Sequence, residues 1–112
     1  GTSQTVKDTY FKLKFALQKI NPNLKFNSTT SYISIVGRKS LAYICFRKSK
    51  LSIIVMLPVN LLEQSIKHHV ITHQKELTQK FYGGECAAIV IEDTSNWDEV
   101  LTALKLAMSK NW

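Results

Sequence analysis

Apolar side chains recur every three or four residues between Val6 and Ile20, which is the spacing of one face of an α-helix. Ser3 or Thr5 can cap its start, because either hydroxyl can accept a hydrogen bond from a first-turn amide. The Asn21-Pro22-Asn23 segment ends it, since proline disfavours helical geometry in the preceding residue. The pattern therefore predicts an amphipathic helix at the start of the chain.

Three runs rich in β-branched and aromatic residues follow, separated by short polar turns. They are residues 32–36, 41–46 and 51–57, and residues 24–26 can begin a further strand. Such short connections predict an antiparallel meander. The second and third runs are apolar at both alternating positions, so we expect them to be covered on both faces, or exposed where a partner docks.

The second half of the chain alternates between helical and strand-like patterns. Leu61, Leu62, Ile66 and Val70 are spaced for a helix, although residues 68–72 fit no single pattern. Residues 73–82 predict a further turn or two of helix, which Gly83-Gly84 stops. Residues 86–91 predict a fourth strand able to pair at either edge of the sheet. Residues 93–96 offer caps for a final helix, with acidic residues in its first turn.

These elements predict an α+β fold in the order α-β-β-β-α-β-α. We expect a single, mainly antiparallel sheet of four to five strands, packed by N-terminal, middle and C-terminal helices. Residues 1–112 are predicted to form one domain. Gly1-Thr2-Ser3 has the character of an expression-tag remnant, so we expect a domain excised from a longer polypeptide.

The charge of the chain is unevenly distributed. Residues 1–56 contain ten basic residues and one acid, whereas residues 57–112 contain five basic residues and seven acids. A basic half indicates a surface that faces a polyanion, because phosphates bind Lys and Arg with release of counterions. The alternative is that the lysines only keep a small domain in solution.

The cysteines and the hydropathy pattern bear on location. Cys45 and Cys86 each lie in an apolar stretch, so we predict two buried thiols in a reducing, cytoplasmic compartment. No apolar run approaches the roughly 20 residues of a membrane-spanning helix. The charged first helix does not have the apolar centre of a signal peptide. We therefore predict no membrane partner.

Neither the glycines nor the histidines predict a catalytic or cofactor site. Gly83-Gly84 lacks the residues of a phosphate-binding loop. His69 and His73 have the spacing that lets two imidazoles share a metal on one helix face, with His68 beside them. A third ligand is missing apart from Glu76, so we expect these histidines on a solvated helix surface and predict no metal site.

The acidic residues and Cys45 do not predict catalysis either. Glu92, Asp93, Asp98 and Glu99 occupy positions where turns and helix N-termini already favour acids. The apolar neighbours of Cys45 disfavour a thiolate nucleophile. We predict a non-catalytic domain without a cofactor.

A basic surface with interleaved tyrosines remains as the candidate for binding. Its nucleic-acid-binding residues are predicted to be Arg38, Lys39, Arg47, Lys48, Lys50, Tyr32 and Tyr43. The cations can meet phosphates and the tyrosines can stack or donate hydrogen bonds. The two basic turns lie at opposite ends of the middle strand, roughly 20 Å apart. A long nucleic acid can touch both turns, and a nucleotide cannot. The alternative is charged hairpin turns with the aromatic rings packed in the core.

Several segments of the sequence also resemble those of a known domain family. They are Leu24-Lys25-Phe26, Tyr32-Ile33-Ser34-Ile35, Leu41-Ala42-Tyr43-Ile44, Arg47-Lys48-Ser49-Lys50-Leu51, Met56-Leu57-Pro58, residues 85–91 and residues 97–101. The chain resembles a small accessory domain whose members are often labelled "predicted transport protein" and occur at the ends of restriction-type nucleases and other DNA-directed defence proteins. That family is similar in layout to double-wing domains of the MmcQ/YjbR type. Residues 71–82 depart from it, because they replace a short loop.

The resemblance implies an accessory module of a larger restriction or defence protein, beside a nuclease or helicase. Together with the charge distribution, it predicts binding of nucleic acid, DNA rather than RNA, through phosphate contacts. Five such contacts predict a slope of about −4 to −5 in a plot of log affinity against log salt on duplex DNA. The alternative is a protein-interaction or dimerisation module that docks other domains of the same polypeptide, or a second copy, through its sheet face or edge.

Overall fold

A computed structural model describes residues 2–111 and forms an α+β fold. Within these residues, four helices and six strands follow one another. They are α1 (Gln4–Ile20), β1 (Lys25–Ser28), β2 (Ile33–Val36), β3 (Ser40–Phe46), β4 (Leu51–Val55), α2 (Val59–Ser65), β5 (Val70–His73), α3 (Glu76–Tyr82), β6 (Ala87–Ile91) and α4 (Trp97–Asn111). The predicted fold class is confirmed, and the sheet has more strands than the four to five predicted.

The strands form one antiparallel sheet in the order β1-β2-β3-β4-β6-β5. The first four strands are a meander of sequential neighbours. The antiparallel run of β2, β3 and β4 was predicted, and β1 is the further strand that residues 24–26 were expected to be able to begin. The last strand, β6, pairs with β4 at one edge of the meander. Its other side pairs with β5, so β6 is an interior strand of the sheet. The free edges of the sheet are therefore β1 and β5.

One face of the sheet carries the main hydrophobic core. A row of isoleucines crosses five strands in register on this face, and it consists of Ile33, Ile44, Ile53, Ile89 and Ile71. The three central members of the row are fully buried. Helices α1, α2 and α4 cover this face and contribute buried side chains such as Leu13, Leu62 and Val100 to the same cluster.

Helix α1 begins and ends as its sequence predicts. The Ser3 hydroxyl accepts a hydrogen bond from the Val6 amide, so Ser3 rather than Thr5 is the N-cap. The Ser3 amide also donates to the Lys48 carbonyl at 2.8 Å, which ties the start of α1 to the β3–β4 turn. Asn21, which precedes the proline, ends the helix in an extended conformation. Of the predicted tag remnant, Gly1 lies outside the described residues.

The segment after α2 differs from its predicted course. Helix α2 ends at Ser65, and Ile66 is already extended, so Val70 does not continue the helical stripe. Val70 instead begins β5, in which Ile71 faces Ile89 across the sheet. Burial of Ile66 and pairing with β6 therefore outweigh the helical spacing of the apolar residues.

The opposite face of the sheet is covered only in part. Tyr82, at the end of α3, packs there against a small buried cluster of Ile54, Cys86 and Ala88. Gly83 ends α3 in the left-handed region, with φ of 96°, as the Gly83-Gly84 pair predicts. No helix within residues 2–111 has both the length and the apolar character required to cross a bilayer.

Candidate nucleic-acid interface

The partly covered face of the sheet, called the open face below, mixes apolar and polar side chains. Register places Ser34, Tyr43, Ile54, Ala88 and Thr72 in one row across this face. Each of these residues neighbours a core-facing isoleucine in its own strand, because successive side chains of a strand point to opposite faces. The open face is therefore built by the same five strands as the core.

Three tyrosines form a cluster on the open face. The ring centroid of Tyr43 lies 5.2 Å from that of Tyr32 and 4.6 Å from that of Tyr82. The Tyr43 hydroxyl donates to the Tyr82 carbonyl at 3.5 Å. Burial, and then the neighbouring Cys45 thiol, raise the pKa of Tyr82 to about 12. Tyr32 and Tyr43, predicted to contact nucleic acid, are thus half-buried and packed against Tyr82 and each other.

A groove of about 570 Å³ runs beside this cluster, from the β3–β4 turn across β4, β6 and β5 to α3. Its apolar floor includes Ile54 and Val90. Its polar lining consists of Arg47, Lys50, Ser52, Thr72, His73, Gln74, Lys75 and Thr78. No described residue that lines it is acidic. We call it the basic groove. Its cations and hydroxyl groups are the side chains that commonly contact the phosphates of a nucleic acid.

The predicted cations are divided among three places. Arg47 and Lys50 line the basic groove. Lys48 lies in the same turn and is exposed, but it is absent from the groove lining. Arg38 and Lys39 are exposed in the β2–β3 turn, at the other end of β3. The predicted separation of the two basic turns therefore holds, and only one turn contributes to the groove.

Four further polar residues of the groove come from residues 73–82, where the sequence predicts a turn or two of helix; they are His73, Gln74, Lys75 and Thr78. His73 ends β5, Lys75 precedes α3, and Thr78 lies on that helix. They reach Arg47 and Lys50 because β6 lies between β4 and β5. The only sequence signal for them was the high polarity of residues 73–82.

One acid lies close to the groove cations. Lys50 Nζ is 3.8 Å from Glu92 Oε1, and both side chains are largely exposed. An exposed pair of this kind contributes about 0–1 kcal/mol and is screened by salt. Lys50 can therefore exchange this partner for a phosphate at little cost, whereas Arg47 and Lys75 have no carboxylate partner among the described residues.

The expectation that His68, His69 and His73 lie on a solvated helix surface was wrong, because His73 ends β5 and the other two contact a carboxylate outside any helix. His68 and His69 lie between α2 and β5, and their Nδ1 atoms are 2.9 Å and 2.7 Å from the two oxygens of Glu99. The Lys67 and His68 amides donate to the same carboxylate. His69 and Glu99 are largely buried, with side-chain exposures of 10% and 11%. Glu99 therefore fixes the chain that enters β5.

The pKa of Glu99 reflects this position. Partial burial acts to raise it, but the hydrogen bonds from His68, His69 and the Lys67 amide outweigh burial and lower the pKa to about 2. The carboxylate stays charged at neutral pH. Glu99 was interpreted from the sequence as a helix-terminus acid, and its cross-chain contacts carry no local sequence signal.

The cysteines are not equally buried. Cys86 is buried, and burial raises the pKa of its thiol. Cys45 is only half-buried, so the prediction of two buried thiols holds for Cys86 alone. Among residues 2–111, no three side chains of His, Cys, Asp or Glu are grouped so as to hold a metal ion.

Comparison with known proteins gives no family for this chain. No family model matches the sequence, and no match was found among curated proteins or among solved structures. The resemblance to accessory domains of restriction-type nucleases accordingly stays a prediction.

Proposed function

We propose that this domain binds nucleic acid, with the phosphate backbone of one strand lying in the basic groove. The observation that carries the proposal is the convergence of Arg47, Lys50 and Lys75 on one concave surface whose described lining contains no acid. Cations brought together this way bind a polyanion better than scattered ones, because each phosphate contact releases counterions.

The hydroxyls of the groove support the same assignment. Ser52, Thr72 and Thr78 line the groove together with the cations, and hydroxyl groups commonly donate to phosphate oxygens. These contacts position a strand without reading its bases. The binding is therefore tolerant of sequence, and DNA is proposed over RNA on the resemblance alone.

The groove changes the expected stoichiometry of phosphate contacts. Three cations in place of five give a slope of log affinity against log salt of about −3 on duplex DNA and about −2 on a single strand. Arg38 and Lys39 lie outside the groove and contribute only if a longer nucleic acid follows the sheet to its other end.

A paired charge reversal tests the groove. In Arg47→Glu with Lys75→Glu, we expect affinity for a fluorescein-labelled 20-nucleotide DNA, single-stranded or duplex, to fall at least about tenfold, since two favourable contacts become repulsive. The measurement is fluorescence anisotropy at two salt concentrations. Arg38→Glu with Lys39→Glu is the matched control, because it makes the same change in net charge at the opposite end of β3.

The Arg38→Glu, Lys39→Glu control separates binding in the groove from a general effect of net charge. An equal loss of affinity in both double variants would show that net charge alone drives binding and would contradict a groove. Salt-independent absence of binding by the unaltered protein would contradict the nucleic-acid proposal itself.

The setting proposed for this activity is a non-catalytic cytoplasmic module within a larger restriction or defence protein. That setting is supported by the family resemblance of the sequence. In it, the domain holds DNA while a neighbouring domain acts on it.

A protein-interaction module is the second candidate function. It is favoured by Leu77 and Phe81, which lie four residues apart on α3 and are 80% and 71% exposed. Large apolar side chains so placed are typical of a helix face that docks a partner. Sedimentation analysis at increasing concentration tests self-association, and Leu77→Ser with Phe81→Ser is expected to abolish any dimer formed by this face.

A further inference from the structure

A second concave surface lies on the helix-covered side of the sheet, between α1 and the edge strand β1. This cleft has a volume of about 490 Å³. Its apolar surface comes from Tyr10, Phe11, Ile33 and Phe46. Phe11 is 61% exposed although its ring centroid lies only 5.1 Å from that of Tyr10. An aromatic wall open to solvent is therefore available to a ligand.

Two lysines border the aromatic wall. Lys7 and Lys14 both line the cleft, and Lys14 Nζ lies 5.4 Å from the centroid of the Phe26 ring in β1. The remaining lining residues, Thr2 and Ser28, are uncharged, so no described residue of the cleft is acidic. The charge of the cleft is complementary to an anionic ligand that also carries an apolar group.

The neighbouring sheet edge is free for main-chain pairing. Among the described strands, β1 pairs only with β2. The Thr29 amide donates to the Tyr32 carbonyl, which makes these two residues a hydrogen-bonded pair at the end of the hairpin. Because such pairs alternate along antiparallel strands, the backbone groups of Phe26 and Ser28 point away from β2. Their side chains share the core-facing side of the sheet with Ile35 and Ile33.

We propose that β1 and the cleft together bind an extended peptide as a seventh strand, with an aromatic or large aliphatic side chain of the peptide in the cleft and acidic side chains beside Lys7 and Lys14. Main-chain bonds to the edge provide the common part of the affinity. The pocket and the lysines select the sequence, as in other strand-addition interfaces.

The spacing of the lysines limits the peptide. Lys7 and Lys14 are seven residues apart on α1, which is about 10 Å along the helix axis. Residues four apart in an extended peptide are about 13 Å apart and point to the same side. A Glu-Thr-Phe-Thr-Glu segment therefore places its phenylalanine between two carboxylates that the flexible lysine side chains can reach.

This site is separate from the basic groove. The cleft lies on the side of the sheet that α1 covers, whereas Arg47, Lys50 and Lys75 line the open face. Peptide binding at the cleft does not depend on nucleic-acid binding in the basic groove, and an experiment that contradicts one proposal does not contradict the other.

The first test is titration of an acetylated, fluorescein-labelled peptide containing Glu-Thr-Phe-Thr-Glu against the whole chain. Lys7→Glu with Lys14→Glu is expected to weaken binding about tenfold. The matched control is Lys12→Glu with Lys19→Glu, which makes the same charge change on α1 outside the cleft lining. Equal weakening by both variants would overturn the proposal.

A second test uses the peptide instead of the protein, so that folding of a variant does not enter. In a strand, every second amide faces the neighbouring strand. N-methylation at one set of alternate amides is expected to abolish binding, and N-methylation at the other set to leave it unchanged. Binding that tolerates both patterns would show that no strand is added.

The cleft has two other conceivable occupants, and each is an outcome of the same experiments. Binding to vesicles of anionic phospholipid that depends on Lys7 and Lys14, without binding of the peptide, would overturn the proposal in favour of a lipid surface. A dimer that the peptide does not dissociate, but that the Lys7→Glu, Lys14→Glu variant abolishes, would overturn it in favour of a second copy of the chain.

Discussion

The two faces of the sheet differ although the same strands build them. On the helix-covered face, five isoleucines lie in one row, of which the central three are fully buried under three helices and the outer two are partly buried. On the open face, the neighbouring row consists of Ser34, Tyr43, Ile54, Ala88 and Thr72, and among residues 2–111 only α3 and the tyrosine cluster cover part of it. The first face is uniform because its task is burial. The second face is mixed because it combines a small apolar cluster with an open, polar groove.

The largest expected effect on stability comes from two adjacent residues of β4, one on each face of the sheet. Ile53 is fully buried in the main core, and Ile54 is 6% exposed in the small cluster. Ile53→Ala is expected to lower the free energy of unfolding by about 4 kcal/mol and Ile54→Ala by about 2 kcal/mol, because fewer groups surround the second cavity. Urea denaturation measures both. Equal losses would mean that the open face is packed as fully as the core.

Substitution of Glu99 tests whether contacts made by α4, on the helix-covered side, stabilise β5 and the groove on the open face. The Glu99 carboxylate, in α4, holds the chain that leads into β5, and β5 supplies Thr72 and His73 to the basic groove. Glu99→Gln is expected to cost about 2 kcal/mol, because several donors lose a charged acceptor. Thermal unfolding checks this value, and Glu92→Gln, in an exposed pair with Lys50, is the control with an expected cost below about 1 kcal/mol.

The contribution of Glu99 to the free energy of unfolding is expected to depend on pH. The pKa of Glu99 is lowered from 4.5 to about 2 by its hydrogen bonds, so the folded state favours the charged form. Its contribution to stability is fully present above about pH 4.5 and is lost as the pH falls towards 2. Denaturation midpoints of the unaltered protein and Glu99→Gln should therefore converge across this range. A constant difference would contradict the assignment.

The smallest expected effect on stability concerns Gly83, at the end of the helix α3 that covers part of the open face. Gly83 ends α3 with a positive φ, and a Cβ added there meets no atom within 4 Å. Gly83→Ala is therefore expected to cost only the backbone strain, about 1 kcal/mol. At Gly84 an added Cβ would lie 3.8 Å from Met56 Cε in ordinary contact, so Gly84→Ala is the control with almost no cost. Hydrogen exchange of the α3 amides would locate the effect.

Elements with a strong periodic pattern could be predicted from the sequence. The stripe of α1, the three predicted strands of the meander and the final helix were each predicted within a few residues of their bounds. The edge strand β5 was missed because Val70 continues the helical spacing of Leu62 and Ile66. Only pairing with β6 decides its conformation, and that pairing is not local in the sequence.

The candidate site was predictable only in part. Arg47 and Lys50 could be selected because a polar turn between two strands displays its charges. Lys75 and Thr78 could not be placed beside them, since their position depends on β6 separating β4 from β5. Tyr43 was correctly placed in a strand, whereas Tyr32 lies one residue before β2. Their packing depends on Tyr82, which no pattern in the sequence links to Tyr43.

The position of β6 has a consequence for biosynthesis. The strands of the meander pair with sequential neighbours, but β5 has no partner until β6 has been translated. A nascent chain that has emerged only as far as residue 85 presents the edge of β4 unpaired, together with the part of the isoleucine row that α4 later covers. We expect chains truncated there to aggregate, since the final quarter of the sequence closes both the sheet and its core.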